Sequence, residues 1–310
     1  MRDHFIKKLC EIAKQDPRII LVTGDLGFGV LDEYRQRFPR QFINAGVAEQ
    51  NMTGIATGLA MEGRIVFTYS IANFPTLRCL EQIRNDACYH RANVKIVAVG
   101  GGFSYGALGI SHHATEDLAI LRSLPDIVVM SPCGYWETME ATAAAVNTPG
   151  TCYLRLDKSA GDDAPQKKGE RFCIGRARVL RNGDDCAIIV TGGILEEVWH
   201  AAEMLESKGV STGIVSVHTL KPFDTSTILQ TCQGIRRIIT VEEHTIYGGL
   251  GSAVAETLLD NGVHPEAFLR IGLEAGFSSI VGSQQFLRKS YGLDADSISK
   301  RVQAVLGKRA

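Results

Sequence analysis

Two places in this chain pair a side chain able to move protons with a backbone suited to hold it. In Asn44-Ala45-Gly46-Val47-Ala48-Glu49-Gln50, Gly46 permits a tight passage from a short strand into a helix, and Glu49 falls at the head of that helix. A carboxylate there can share a proton with a ligand, or it can be a first-turn acid that complements the helix dipole. The small residues Gly54, Ala56, Gly58 and Ala60 behind it allow very close packing against another surface. The second place is the loop Gly100-Gly101-Gly102-Phe103-Ser104-Tyr105-Gly106, followed by adjacent His112 and His113. Imidazoles exchange protons near neutrality, though in a loop they can equally be ordinary polar residues. A third stretch, Glu242-Glu243-His244, ends an apolar run before Gly248-Gly249. It reads as an anion site at a helix start or as a turn that positions one domain against a partner.

The elements that position these residues follow from the apolar pattern. Short runs bounded by Gly, Asp and Pro recur at Ile19–Val22, Arg64–Phe67, Val94–Val99 and Ile127–Met130. Helical patterns lie between them at about 3–15, 47–61, 75–90 and 134–145. A polar stretch from Lys158 to Gly169 interrupts the pattern. The alternation then resumes, with strands at Cys186–Val190, Ser211–Val217 and Arg237–Val241, and helices at about 194–208, 224–232 and 250–261. Continuous apolar strands alternating with helices predict α/β architecture: two doubly wound domains with mostly parallel sheets, at 1–160 and 175–310, joined by a linker at 161–174. Ligands of such sheets gather at the carboxyl ends of strands, which directs attention to loops 24–30, 44–49, 100–113 and 243–250.

Composition narrows the partners. The chain has 310 residues, 33 of them basic and 34 acidic, with no basic stripe, so nucleic acid is not expected. No apolar run approaches the ~20 residues needed to cross a bilayer. The eight cysteines contain no C-x-x-C pair, which fits small buried side chains in a reducing cytoplasm rather than a zinc site or a disulfide framework.

The segment 42–52, with Gly58-Leu59-Ala60-Met61-Glu62-Gly63 after it, resembles the pyrimidine-binding domain of the transketolase family of thiamine diphosphate enzymes. The resemblance continues through Glu81–Asp86, Gly109–Asp117, Leu124–Pro132 and Tyr153–Leu156. It reaches the second domain at His218–Asp224 and Val241–Ser252, where it is similar to the transketolase C-terminal domain. It implies that Glu49 hydrogen-bonds the cofactor's aminopyrimidine and favours the tautomer that activates the thiazolium carbon. It places Phe74 and Ile71 as walls of the pyrimidine, Ile71 standing where an aromatic is usual, and Asp25 in a loop near the cofactor and subunit contact. His112 falls on the family's active-site histidine, and His113 on a residue typical of deoxyxylulose-phosphate synthases. Lys158, Arg155 and His244 are candidate contacts for substrate, Lys158 keeping the charge but not the fork of the usual arginine, and Arg155 equally reading as a structural ion-pair partner. Ala107-Leu108 replaces the family's acidic pair, so Leu108 suits a less hydroxylated partner carbon. No counterpart of a phosphate-binding histidine occurs among Gly100 to Gly102.

The family holds the diphosphate and Mg2+ with a Gly-Asp-Gly motif, and the chain contains none. The resemblance therefore implies the C-terminal subunit of a split transketolase, whose N-terminal partner subunit carries diphosphate and Mg2+, assembled as α2β2. The expected reaction moves a two-carbon ketol or acyl unit from a ketose or 2-oxo acid to an aldehyde or ketone. The alternatives are a β subunit of a 2-oxo acid dehydrogenase first component or a deoxyxylulose-phosphate synthase-like subunit, and a non-catalytic scaffold.

Overall fold

The computed structural model describes residues 1–158, 166–274 and 276–307. Residues 161–165 of the expected linker lie outside the described residues, and 166–174 forms no helix or strand.

The apolar runs become buried strands. The first half supplies β1 (Ile19–Thr23), β2 (Phe42–Asn44), β3 (Ile65–Ile71), β4 (Val94–Val99), β5 (Ile127–Met130) and β6 (Thr151–Leu156). The second half supplies β7 (Arg178–Arg181), β8 (Cys186–Thr191), β9 (Thr212–Ser216), β10 (Thr219–Lys221), β11 (Arg237–Thr245) and β12 (Ala267–Leu273). They form a seven-stranded sheet in the order β10-β5-β6-β4-β3-β1-β2 and a five-stranded sheet in the order β12-β11-β8-β9-β7. Pairing is parallel except at β10 with β5 and β7 with β9. Hence β10, from the second half of the sequence, completes the edge of the first sheet.

Both faces of each sheet are covered, which is why the strands read as unbroken apolar runs rather than alternating ones. Val22, Val66, Ile96 and Ala98 pack on one face of the first sheet, and Leu21, Phe67, Val97 and Val99 on the other. In the second sheet Ile188, Val190 and Val241 oppose Ala187, Ile189 and Val215 in the same way. Full burial of each such Val, Ile or Leu side chain contributes roughly 1.5–3 kcal/mol.

The helix expected over 75–90 is broken. The structure has Asn73–Leu77, then a single turn at Leu80–Gln82, then a wide-turn segment at Ile83–Cys88. Cys79, Ile83 and Ala87 are all buried at a spacing of four. That spacing drifts off one face of a 3.6-residue helix, and local unwinding keeps all three on the core. Among the described residues, no helix is long and apolar enough to cross a membrane.

Candidate active site

The carboxyl ends of β1, β2, β3 and β4 meet on one side of the first sheet, and Glu49 sits there as the first residue of helix Glu49–Met61. Its approach is set by a small polar knot. Asn44 Oδ1 accepts from the amides of Asp25 at 3.0 Å and Gly46 at 3.0 Å, while Asn44 Nδ2 donates to Asp25 Oδ1 at 2.9 Å. Gly46 takes φ +73°, a conformation glycine adopts without penalty, and this turns the chain into the helix. Asp25 thus braces the turn beneath Glu49. Gly24 lies against the Glu49 side chain, where even a Cβ would come within 3.7 Å of Cγ.

Glu49 is 5% exposed, yet its carboxylate reaches Arg78 Nη1 at 3.2 Å. The same guanidinium lies 4.4 Å over the Phe74 ring. Phe74 in turn meets the His112 ring edge-on, with centroids 5.1 Å apart. Asn73 makes that meeting possible, because its buried amide donates to the carbonyls of Ile110 and Ser111 at 3.3 and 3.2 Å and draws the histidine loop toward helix Asn73–Leu77. Burial, then His113 and Arg78, hold the His112 imidazole below its ordinary value of 6.5.

Beyond His112, Gly100 adopts φ +94°, and the Tyr105 ring fills the space that a side chain at position 100 would need. Lys158 Nζ stands 5.1 Å over that ring, and Arg2 lies beside its phenol. Leu108 is exposed at the mouth of the loop, and Ile71 ends β3 half-buried near Asn73 and Phe74. The chemistry collected here is a sheltered carboxylate, an aromatic wall, a near-neutral imidazole and an outer pair of cations.

Three residues expected to contact substrate lie buried where the two halves of the chain meet. Arg155 is wholly buried and donates to the carbonyls of Ala114 at 3.0 Å and Glu243 at 2.9 Å, with Asp117 at ion-pair distance from its Nε. His244 is wholly buried between Glu242, at 3.5 Å, and Asp117, at 3.9 Å, surroundings that repel an anion. His113 has both nitrogens engaged: Nδ1 with Ser278 Oγ at 2.8 Å and Nε2 with the Gly106 carbonyl at 3.2 Å. Since a carbonyl only accepts, Nε2 carries the proton and Nδ1 accepts from Ser278. These residues tie the domains together, and motif spacing cannot distinguish a residue facing the pocket from one facing the seam.

The seam they form is a buried ion cluster. Glu243 accepts from the Phe103 amide at 2.5 Å and pairs with Arg288, while Tyr153 donates to Asp117 at 2.6 Å. Burial pushes the Asp157 carboxyl up to about 6 against the pull of Arg155, and Glu243 adds to the rise. Sequence reasoning missed Asn44, Asn73, Tyr105, Arg2 and Arg78 as parts of the site. Arg78, four residues beyond Phe74 on the same helical stretch, carried the one usable signal, a cation one turn from an expected pocket wall.

Residues 1–162 match the transketolase pyrimidine-binding domain, and residues 175–298 match the transketolase C-terminal domain. The chain belongs to the transketolase family. Among curated proteins, it is similar to one of the apulose-4-phosphate transketolase subunits of Phocaeicola vulgatus, 37% identical over 96% of this chain and 95% of that protein. It is also similar to a 6-deoxy-6-sulfo-D-fructose transketolase subunit of Clostridium sp. (strain MSTE9), at 33% identity over 98% and 94%. Among solved structures, a split gene transketolase described as an inactive beta4 tetramer superposes with a TM-score of 0.88, at 34% identity, over 98% of this chain and 97% of that one. The transketolase of Pichia stipitis shares the fold at 21% identity and a TM-score of 0.79, this chain spanning 45% of its length. The chain thus has the span of a transketolase C-terminal subunit, and among the described residues no group of three or more His, Cys, Asp or Glu is placed to hold a metal.

Proposed function

We propose that this chain is the catalytic C-terminal subunit of a split, thiamine diphosphate-dependent transketolase. It transfers a two-carbon ketol unit between a ketose donor and an aldehyde acceptor, together with an N-terminal partner that carries the diphosphate and Mg2+ site, in an α2β2 assembly. The observation that carries this reading is the sheltered Glu49 carboxylate, which shares Arg78 with the Phe74 ring while His112 stands edge-on to that ring. This set fits the aminopyrimidine half of the cofactor: a carboxylate able to share a proton with a ring nitrogen, and an apolar face to pack on a flat ring.

Thiamine diphosphate, when bound, supplies the carbon nucleophile and electron sink that exchange of carbon–carbon bonds requires. Glu49 holds the proton that sets the pyrimidine's tautomer, and Phe74 and Ile71 wall the ring. His112, neutral at pH 7, takes a proton from a substrate hydroxyl or returns it to a carbonyl oxygen. Lys158, held over Tyr105, meets an anionic group at the far end of the substrate, and Leu108 faces a partner carbon that carries no hydroxyl for it to bind. Two similar proteins are named for phosphorylated or sulfonated sugars, in keeping with an anion at that end.

The test reconstitutes the chain with a partner bearing a Gly-Asp-Gly motif and follows ketol transfer from phosphorylated ketoses. Turnover is expected from the mixture and from neither chain alone. Glu49→Gln is expected to lower kcat by ~10²-fold or more while leaving the circular dichroism spectrum unchanged. Equal rates for wild type and Glu49→Gln would remove this chain from the chemistry and favour the scaffold alternative.

A further inference from the structure

Arg78 makes two contacts that matter only because of what else would use the same surfaces. Its guanidinium bonds the Glu49 carboxylate at 3.2 Å and lies 4.4 Å over the Phe74 ring. A flat ring packed on Phe74 and hydrogen-bonded to Glu49 would occupy the same volume. On the face of Phe74 that Arg78 covers, the two arrangements compete.

We propose that Arg78 is a placeholder for the cofactor's pyrimidine: it pairs with Glu49 and covers Phe74 in the free subunit, and withdraws to solvent when the cofactor docks. The inference rests on the thiamine reading above.

The asymmetry in exposure supports it. Glu49 is 5% exposed, and a carboxylate so sheltered is costly unless it is paired. Arg78 is 53% exposed, so its head group can return to water at little cost while Glu49 cannot. The backbone is fixed independently of the side chain, because Gln50 Nε2 donates to the Arg78 carbonyl at 3.0 Å. Withdrawal is therefore a rotation about side-chain bonds that leaves helix Asn73–Leu77 in place. The guanidinium also occupies the carboxylate oxygen that a ring nitrogen of the cofactor would need. Arg78 must leave before Glu49 can do the work proposed for it. Its departure also removes one of the influences that hold the His112 imidazole low.

Each docking event must then break one ion pair and one cation–π contact, both partly exposed, which weakens apparent cofactor affinity by about three- to tenfold. The test measures thiamine diphosphate binding, in the presence of Mg2+, by calorimetry on the reconstituted complex of wild type, Arg78→Met and Arg78→Lys. Arg78→Met retains packing on Phe74 and removes the charge. It is expected to bind the cofactor about three- to tenfold more tightly, with Arg78→Lys close to wild type. In the isolated subunit, Arg78→Met is expected to lower Tm, and Glu49→Gln in the same chain to recover most of the loss. Binding that is unchanged or weaker in Arg78→Met, in a complex whose wild type binds normally, overturns the placeholder role. A wild-type complex that does not bind thiamine diphosphate overturns the functional reading instead, and this inference with it.

Discussion

At the scale of single residues, His112 has the clearest consequence. Burial first, then His113 and Arg78, depress its imidazole below 6.5, so at pH 7 it is neutral and able to accept a proton. The ring sits against Phe74, with Ser111 Oγ 3.0 Å from Nδ1. In the isolated chain its titration by nuclear magnetic resonance is expected to have a midpoint below 6.5. Arg78→Met should raise that midpoint by part of the difference, since burial and His113 remain. A wild-type midpoint at or above 6.5 contradicts the depression by burial, His113 and Arg78. Glu49, Phe74 and His112 could be singled out in the sequence because the motifs fix their order, and the structure brings them together around Arg78 and the Phe74 ring. Arg78 was passed over: its place one turn beyond Phe74 was the only hint, and the buried carboxylate it pairs with emerges only from the fold.

Among the elements, the loop from Phe103 to Thr115 decides whether His112 is well placed, and the second domain grips it at both ends and in the middle. Glu243 takes the Phe103 amide, the Thr245 amide donates to the Thr115 carbonyl at 2.8 Å, and Ser278 clasps His113 at 2.8 Å. Gly106 has no room for a side chain beneath Leu287. Ser278→Ala removes one buried hydrogen bond, worth about 1 kcal/mol, and leaves the rest of the seam intact. Amide hydrogen exchange over 106–113 is expected to accelerate, and kcat in the reconstituted enzyme to fall about three- to tenfold with little change in Tm. Exchange unchanged over that loop would show that the clasp positions nothing. The apolar runs made β1, β4, β5, β8 and the core of β11 legible, because parallel strands buried on both faces are continuously apolar. β6 was hidden by Arg155, whose charge breaks the run although buried partners satisfy it. β7 and β10 were hidden because short antiparallel edge strands carry no such signature.

For the whole molecule, β10 on the first sheet and the Arg155–Asp117–Glu243–Arg288 cluster join the two halves into one scaffold. Seen from the sequence, the polar stretch after Lys158 marked where the chain leaves the first sheet but could not show that residues 219–221 return to it. That scaffold presents Glu49 at a surface rather than in a closed cavity. Val47 beside it is exposed, as are Gln50, Asn51, Gly54, Gly58 and Met61 along the same helix, while Met52, Ala56 and Ala60 face the core. On the proposed function, the sheltered carboxylate at the edge of this open helical face is half of a site, and the other half is assigned to the proposed partner. The measurement that bears most directly on this is thiamine diphosphate binding in the presence of Mg2+, by calorimetry, to the chain alone, to the Gly-Asp-Gly partner alone and to their mixture. The account predicts tight binding by the mixture, little by either chain alone, and at least tenfold weaker binding when the mixture contains Glu49→Ala. Tight binding by this chain alone, or equal binding by mixtures with wild type and Glu49→Ala, would contradict it.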